Sequence, residues 1–311
     1  MLKKVALSSL LLALLLGACS SGESKSDKEV VIDTYQSMME MEKVDSTGTL
    51  DVNVEADVQD PMIKPYIQMV NDMEFSVDQR MDMTQNLQEM VVHLSATMSP
   101  MTFNIDLPVL QDLENQTLYV ETDSLVDNLG MFLGNTEQLK GKLLKLDMNE
   151  LEGTEAPQVD YQEMQEKTTT ILTDFLNEKS DEDFTKEENT YITTFSKDEL
   201  IEMFSKLVTE FDDSIPEDEL QQGVEEMKTA LKDVDLNTFE THVTLEDDQL
   251  KSQKFILDLA FDYEGTPVKI NLQSDTVYNS IGEDVEFTID PENSELIEMQ
   301  ELNQMMNSMG Y

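Results

Sequence analysis

Leu50-Asp51-Val52-Asn53-Val54-Glu55-Ala56-Asp57-Val58 alternates apolar and polar side chains without a break. Period two places Leu50, Val52, Val54, Ala56 and Val58 on one face of a strand and the carboxylates on the other. The pattern recurs downstream. Met73, Phe75, Val77, Met81 and Met83 alternate with Glu74, Ser76, Asp78, Arg80 and Asp82. Met90, Val92, Leu94, Ala96 and Met98 follow, then Met101, Phe103, Ile105 and Leu107. Leu118-Tyr119-Val120 marks a fifth strand after the turn Glu114-Asn115-Gln116. One-faced strands joined by short polar links predict an antiparallel meander, with carboxylates such as Asp51 and Asp82 facing water.

The flanking periods differ. Val31, Tyr35, Met38 and Met39 share a helical face and predict a helix over about residues 29–44. The middle is helical in pattern, with Tyr161, Met164, Thr168, Ile171, Leu172 and Phe175 on one stripe. Ser196-Lys197-Asp198-Glu199 has the capping-box spacing and opens a helix carrying Leu200, Phe204, Leu207, Val208 and Phe211. Pro216 opens another, striped by Leu220, Val224, Met227, Leu231 and Val234. Alternation then resumes in Phe239–Leu245, in Phe255–Tyr263 and, after the hairpin link Glu264-Gly265-Thr266, in Val268–Leu272. Val285, Phe287 and Ile289 predict a last short strand, and Leu302, Met305, Met306 and Met309 a terminal helix. This order predicts an α+β fold: a large antiparallel sheet with one apolar face, and helices to cover it.

The N-terminus has a different logic. Lys3 and Lys4 precede an apolar run from Val5 to Leu16, too short to span a bilayer comfortably. The run ends in Leu16-Gly17-Ala18-Cys19, which resembles the bacterial lipobox. Small residues before the cysteine admit a peptidase, and only a thiol serves as acyl acceptor. The expected organisation is a signal peptide over 1–18, a polar tether over 19–29 and one domain over 30–311. Within it lie strand-rich 46–122, helical 159–234, strand-rich 236–290 and a terminal helix over 295–309. Cys19 is the expected lipid attachment, carrying a diacylglyceryl and an N-acyl group. The expected location is the outer face of the cell membrane.

The 311 residues hold 66 acids and 20 bases, for a net charge of −46, which argues against nucleic acid as a partner. A single cysteine excludes an internal disulfide and Cys-rich zinc sites. The two histidines, His93 and His242, fall at polar strand positions that face water, without a nucleophile at motif spacing. The clusters Asp181-Glu182-Asp183 and Glu246-Asp247-Asp248 lack the ligand spacing of a calcium loop and read as solvated surface. The expectation is therefore no catalytic residue, no metal and no cofactor beyond the covalent lipid.

Taken together, the Leu16–Cys19 motif, the helix ending near Asp45-Ser46 and the Met-studded strands resemble a family of uncharacterised surface lipoproteins of Gram-positive bacteria. Leu250–Tyr263 and Thr266–Gln273 extend the resemblance, which covers roughly Val30 to Pro291. That family is similar in fold to the LolA and LppX carriers, which implies a curved sheet, an unclosed barrel, with helices on its concave face. Two departures stand out: no tryptophan near Lys142–Leu146, and an apparent insertion over Pro61–Asp72. The implied function is non-catalytic binding of a hydrophobic or amphiphilic ligand. The candidate cavity lining is Val54, Phe75, Met81, Met83, Met90, Met98 and Phe103. Methionine re-packs around irregular shapes, which suits a greasy ligand, and equally fills an ordinary core. The alternative is an envelope protein-interaction module with a fully packed core and no ligand.

Overall fold

The structure, a computed structural model, describes residues 25–58, 62–98, 101–133, 137–148, 161–211, 217–263 and 265–302. In chain order the elements are α1 (Asp27–Met39), β1 (Lys43–Ala56), α2 (Lys64–Asn71), β2 (Glu74–Asp82), β3 (Leu87–Met98), β4 (Met101–Asp112) and β5 (Thr117–Glu121). Next come α3 (Asp123–Leu133), β6 (Lys142–Asp147), α4 (Tyr161–Glu178), β7 (Phe184–Glu187), β8 (Thr190–Thr194), α5 (Lys197–Phe211) and α6 (Glu217–Leu231). β9 (Val234–Glu246), β10 (Gln249–Tyr263), β11 (Thr266–Ile281) and β12 (Glu295–Glu298) complete the set. All twelve strands form one sheet in the order β12-β6-β5-β4-β3-β2-β1-β11-β10-β9-β8-β7. The fold is α+β, as the alternation predicts. The sheet is unclosed and mixed, because β12 joins β6 in parallel while the other pairs run antiparallel.

Turn chemistry fixes the hairpins. Asp247 and Asp248 both adopt positive φ, the twist-matched geometry of a two-residue hairpin turn. Gly265 supplies φ +84° between β10 and β11, a conformation a side chain would strain.

Both register and alternation define one continuous inner face. Leu50 sits opposite Phe75, Phe75 opposite Leu94 and Leu94 opposite Ile105. On the other side Val54 pairs with Ile270, and Ile270 with Leu259. Residues directly opposite share a face, so these side chains all lie on the same side of the sheet.

Helices α1 and α4 cover the inner face over the β8–β10 half. Val31, Ile32, Tyr35, Phe175 and Leu176 pack on Phe184, Tyr191, Phe195, Phe239, Val243 and Leu250. Phe175, Phe195, Phe239 and Phe255 form a ladder with successive centroid separations of 6.1, 4.8 and 5.0 Å. At its end the buried Lys179 ammonium lies 4.9 Å over Phe195 and pairs with Glu199 and Asp183. Glu199 also accepts the Ser196 amide at 2.7 Å, completing the capping box read from sequence.

Several expectations are corrected. Residues 25–29 are not tether: Ser26 and Glu29 form a capping box that starts α1. The helix ends at Met39, so β1 begins at Lys43, earlier than its alternation begins. The 61–72 insertion contains α2, which sits where β2 stops short. There the Asn71 amide donates to Val54 O at 3.0 Å and accepts from Val54 N at 2.7 Å, imitating a strand partner. Asn128 of α3 does the same at Asn104 on the free edge of β4, at 2.7 and 3.1 Å. Open edges invite pairing with other chains, and these two amides occupy them. The helical middle contains the β7–β8 hairpin. The expected strand over 285–289 is an extended strap outside the ladder. The expected helix over 295–309 begins as β12 and turns helical only at 299–302, and residues 303–309 lie outside the described residues.

That strap overturns a further expectation. It crosses the outer face, where Phe287 and Ile289 pack with Leu87, Leu110, Tyr119 and Leu143 in a second, smaller core. Glu89 is fully buried beneath it, accepting from Thr288 N at 2.7 Å, Ile289 N at 2.8 Å and Arg80 Nη1 at 2.7 Å. Asp82, expected to face water, is 1% exposed. Burial alone would raise its carboxyl, but hydrogen bonds from Thr84 and Gln85 and the nearby Lys43 ammonium outweigh it and hold it at about 2.

Candidate functional site

The chemistry of the inner face follows from which residues the register assigns to it. From β8 across β9, β10, β11 and β1 to β5, every inner position is uncharged. Acids and bases of these strands, such as Asp51, Asp78, Arg80, Asp106, Asp258 and Lys269, take the outer parity. In a chain carrying 66 acids, that segregation makes the inner face a low-dielectric surface.

Its two halves differ. The β8–β10 half is packed under α1 and α4. On β2, β3 and β4 the described inner side chains are half-buried, and none belongs to either core. They are largely aliphatic: Val77, Met81, Met90, Val92, Leu94, Ile105, Leu107 and Val109, with Phe75 and Phe103 among them and the neutral Gln79, Gln88 and Gln111 toward one end.

Most of the predicted lining is brought together here. Phe75, Met81, Met90 and Phe103 share the face, and Val54 lies on it across β1. Met83 does not continue the strand. β2 ends at Asp82, and Met83 begins the turn, its amide bonded to Glu42 O at 2.8 Å. Met98 pairs with Met101 at the end of the β3–β4 hairpin, and its side chain lies outside the described residues. Cys19 also lies outside them.

Between the halves runs a band of neutral polar groups that the sequence reading missed. Gln253 faces Thr276 across β10–β11, Thr276 faces Gly48, and Ser274 faces Leu50. Gln253 donates to the Tyr35 hydroxyl of α1 at 3.1 Å. Burial pushes the Tyr278 phenol up to about 12 and raises Tyr35 as well, so this band disfavours negatively charged oxygen. The available signal was polar residues at apolar parity within β10 and β11.

The outer face holds a depression of about 710 Å³, lined by Thr49, Asp51, Asn71, Glu74, His93 and Asp106 among others. His93 bridges Asp106 at 2.6 Å and Asp78 at 3.3 Å, so it is paired rather than simply solvated. The hydrogen bond to Asp106 raises its pKa, burial opposes this, and Asp78 adds to the rise. His242 is partly buried against Glu240 at 2.9 Å. Among the described residues no cluster of three or more His, Cys, Asp or Glu could hold a metal. None of the described helices is long and apolar enough to cross a membrane.

No protein-family model and no curated protein matches this chain. Among solved structures it is similar to a beta-barrel-like protein of a domain of unknown function, DUF1849, from Brucella abortus. The identity is 10% and the TM-score 0.23, over 77% of this chain and 100% of that one. It is also similar to lipovitellin, from a structure of lipid–protein interactions, at 9% identity and TM-score 0.25. That match covers 80% of this chain and 26% of lipovitellin, so the chain spans about a quarter of lipovitellin's length. At these TM-scores neither likeness bears on function.

Proposed function

We propose that this protein is an exported lipoprotein that binds a hydrophobic or amphiphilic ligand, without catalysis, at the outer face of the cell membrane. One observation carries the binding half of this reading: the aliphatic, charge-free inner face of β2–β4 is only half-buried. Burying it against a greasy ligand gains about 25 cal/mol per Å² of apolar surface. The sequence resemblance to Gram-positive surface lipoproteins of LolA/LppX-like fold agrees with it. The anchor half rests on Lys3-Lys4, the Val5–Leu16 run and Leu16-Gly17-Ala18-Cys19. A diacylglyceryl group on Cys19 supplies the two chains that stable anchoring needs.

Native mass spectrometry of protein purified from its own host tests the binding, with a co-purifying lipid as the expected result. The full chain should also bind an environment-sensitive apolar dye, and Met90→Trp should weaken that binding while the fold survives. A close-packed core would instead lose about 1–3 kcal/mol to overpacking by the same change. Intact mass should show Cys19 acylated, and Cys19→Ala should leave precursor uncleaved or release protein to the medium.

A second reading, a protein-interaction module, has one observation in its favour. Met62, Ile63 and Tyr66 at the start of α2 are 72%, 46% and 56% exposed. Loss of a partner on replacing all three by serine, with dye binding unchanged, would favour it.

A further inference from the structure

The proposed binding face has a property that narrows its ligand. Each inner position from β8 to β5 is neutral, and where polarity occurs it is hydroxyl, carboxamide or glycine backbone. Gln253, Ser274 and Thr276 are half-buried at the junction of the packed and aliphatic halves, with Gln253 bonded to the Tyr35 hydroxyl. Beyond Phe255, inside the packed half, one hydroxyl is unsatisfied. Thr193, opposite Thr241, is 1% exposed, and its hydroxyl has no hydrogen-bond partner. The lysines beside the packed half are already committed: Lys179 to Glu199 and Asp183, Lys186 to the Tyr191 hydroxyl at 2.7 Å, Lys28 to the Asn177 and Lys179 carbonyls, and Lys206 to Glu178 and Glu202.

We propose, resting on the ligand-binding reading above, that the ligand is an uncharged amphiphile. Its hydroxylated head lies on Gln253, Ser274, Thr276 and Tyr35, and its chain runs along Leu50, Val77, Val92 and Met90. A carboxylate or phosphate head placed there would be desolvated with no cation to answer it. A neutral head exchanges water hydrogen bonds for protein ones at little cost. Gly48 suits the crossing point. A side chain there would project into the inner face beside Thr276, where the glycine leaves room for the head.

The test uses the full chain with a bound apolar dye at pH 8 and three competitors of the same acyl chain. These are 1-oleoylglycerol, oleate and 1-oleoylglycerol 3-phosphate, each below its micellar concentration. 1-Oleoylglycerol should displace the dye at a concentration at least tenfold below the two anions. Gln253→Leu and Thr276→Val should each raise the 1-oleoylglycerol concentration needed for displacement several-fold more than that of oleate. Thr276→Lys should move the preference toward oleate. Equal displacement by all three, or preference for an anion, overturns the neutral-head rule and leaves the binding face standing. Failure of the dye to bind a cooperatively folded chain sinks both.

Discussion

The inner face is one surface in register and two in packing. On the β8–β10 half, four phenylalanines, two helices and a paired lysine leave Tyr191, Phe195, Phe239, Val243 and Leu250 almost fully buried, with half-buried Phe255 and Leu257 packed against them. On β2–β4 the same parity carries mostly valine, leucine, isoleucine and methionine, with Phe75, Phe103 and three glutamines, and those described are half-buried outside either core. Both halves obey the same alternation, so alternation marks which face is apolar and not how that face is filled. Rigid aromatic contacts suit a fixed core, whereas unbranched methionines suit a surface that must re-pack.

The largest effect should come from breaking the packed half. Phe239→Ala removes the centre of the aromatic ladder and should cost about 3–5 kcal/mol by chemical denaturation. Val77→Ala, on the other half, should cost about 1 kcal/mol, as a half-buried side chain loses two methyl groups. Equal losses would erase the distinction between the halves.

Next is the outer face, where one buried carboxylate accepts two of the strap's backbone amides. Glu89→Gln replaces the charged acceptor of Arg80, Thr288 and Ile289 and should cost about 2–3 kcal/mol. Loosening should be detectable as faster amide exchange over residues 285–298, with the β8–β10 half unaffected. Asn71→Ala and Asn128→Ala should each cost about 1 kcal/mol and increase aggregation, because each uncovers a strand edge.

Titration should give the smallest signals. Asp82, at about 2 against an ordinary value near 3.8, contributes stability that is complete above the ordinary value and lost as pH falls through its folded one. Asp82→Asn should flatten the acid limb of a stability–pH curve. His93 acts in the opposite sense. Its folded pKa lies above 6.5, so its contribution is full below 6.5 and fades as pH rises through the raised value. Screening at this half-exposed site keeps the effect small, and His93→Gln should remove only the shallow slope on that side.

The fold was legible wherever a strand has one wet face. Asp51 and Asp82 show the limit: they have the same parity, yet Asp51 is exposed and Asp82 is buried. Asp82 lies at the end of the sheet where the strap's Asp284 shares Lys43 with it, an arrangement set by residues far along the chain. The strap was misread for a related reason. Val285, Phe287 and Ile289 alternate because an extended segment lies on a surface, and a strand in a ladder alternates in the same way. β6 was missed because Lys142-Leu143-Leu144-Lys145-Leu146 puts apolar side chains on both faces: Leu143 enters the outer core beneath the strap and Leu144 faces inward beside Ile297. Of the site, the aliphatic lining was visible as period two. The neutral polar band was not, since Gln253, Ser274 and Thr276 acquire a common position only through pairing with strands remote in sequence.

The central seam of the sheet sets the order in which the molecule can form. β1 pairs locally with β2 but joins β11, near the opposite end of the chain, along almost its whole length. β2–β5 and β9–β11 can each zip as hairpin arrays from short-range contacts, while the β1–β11 seam must wait until nearly all of the chain is available. Two half-sheets with unpaired central edges should therefore precede the native state, and joining them should be the slow step. The emerging polypeptide cannot complete its sheet until β11 appears near the end of the chain, so until then β1 must keep its outer edge open.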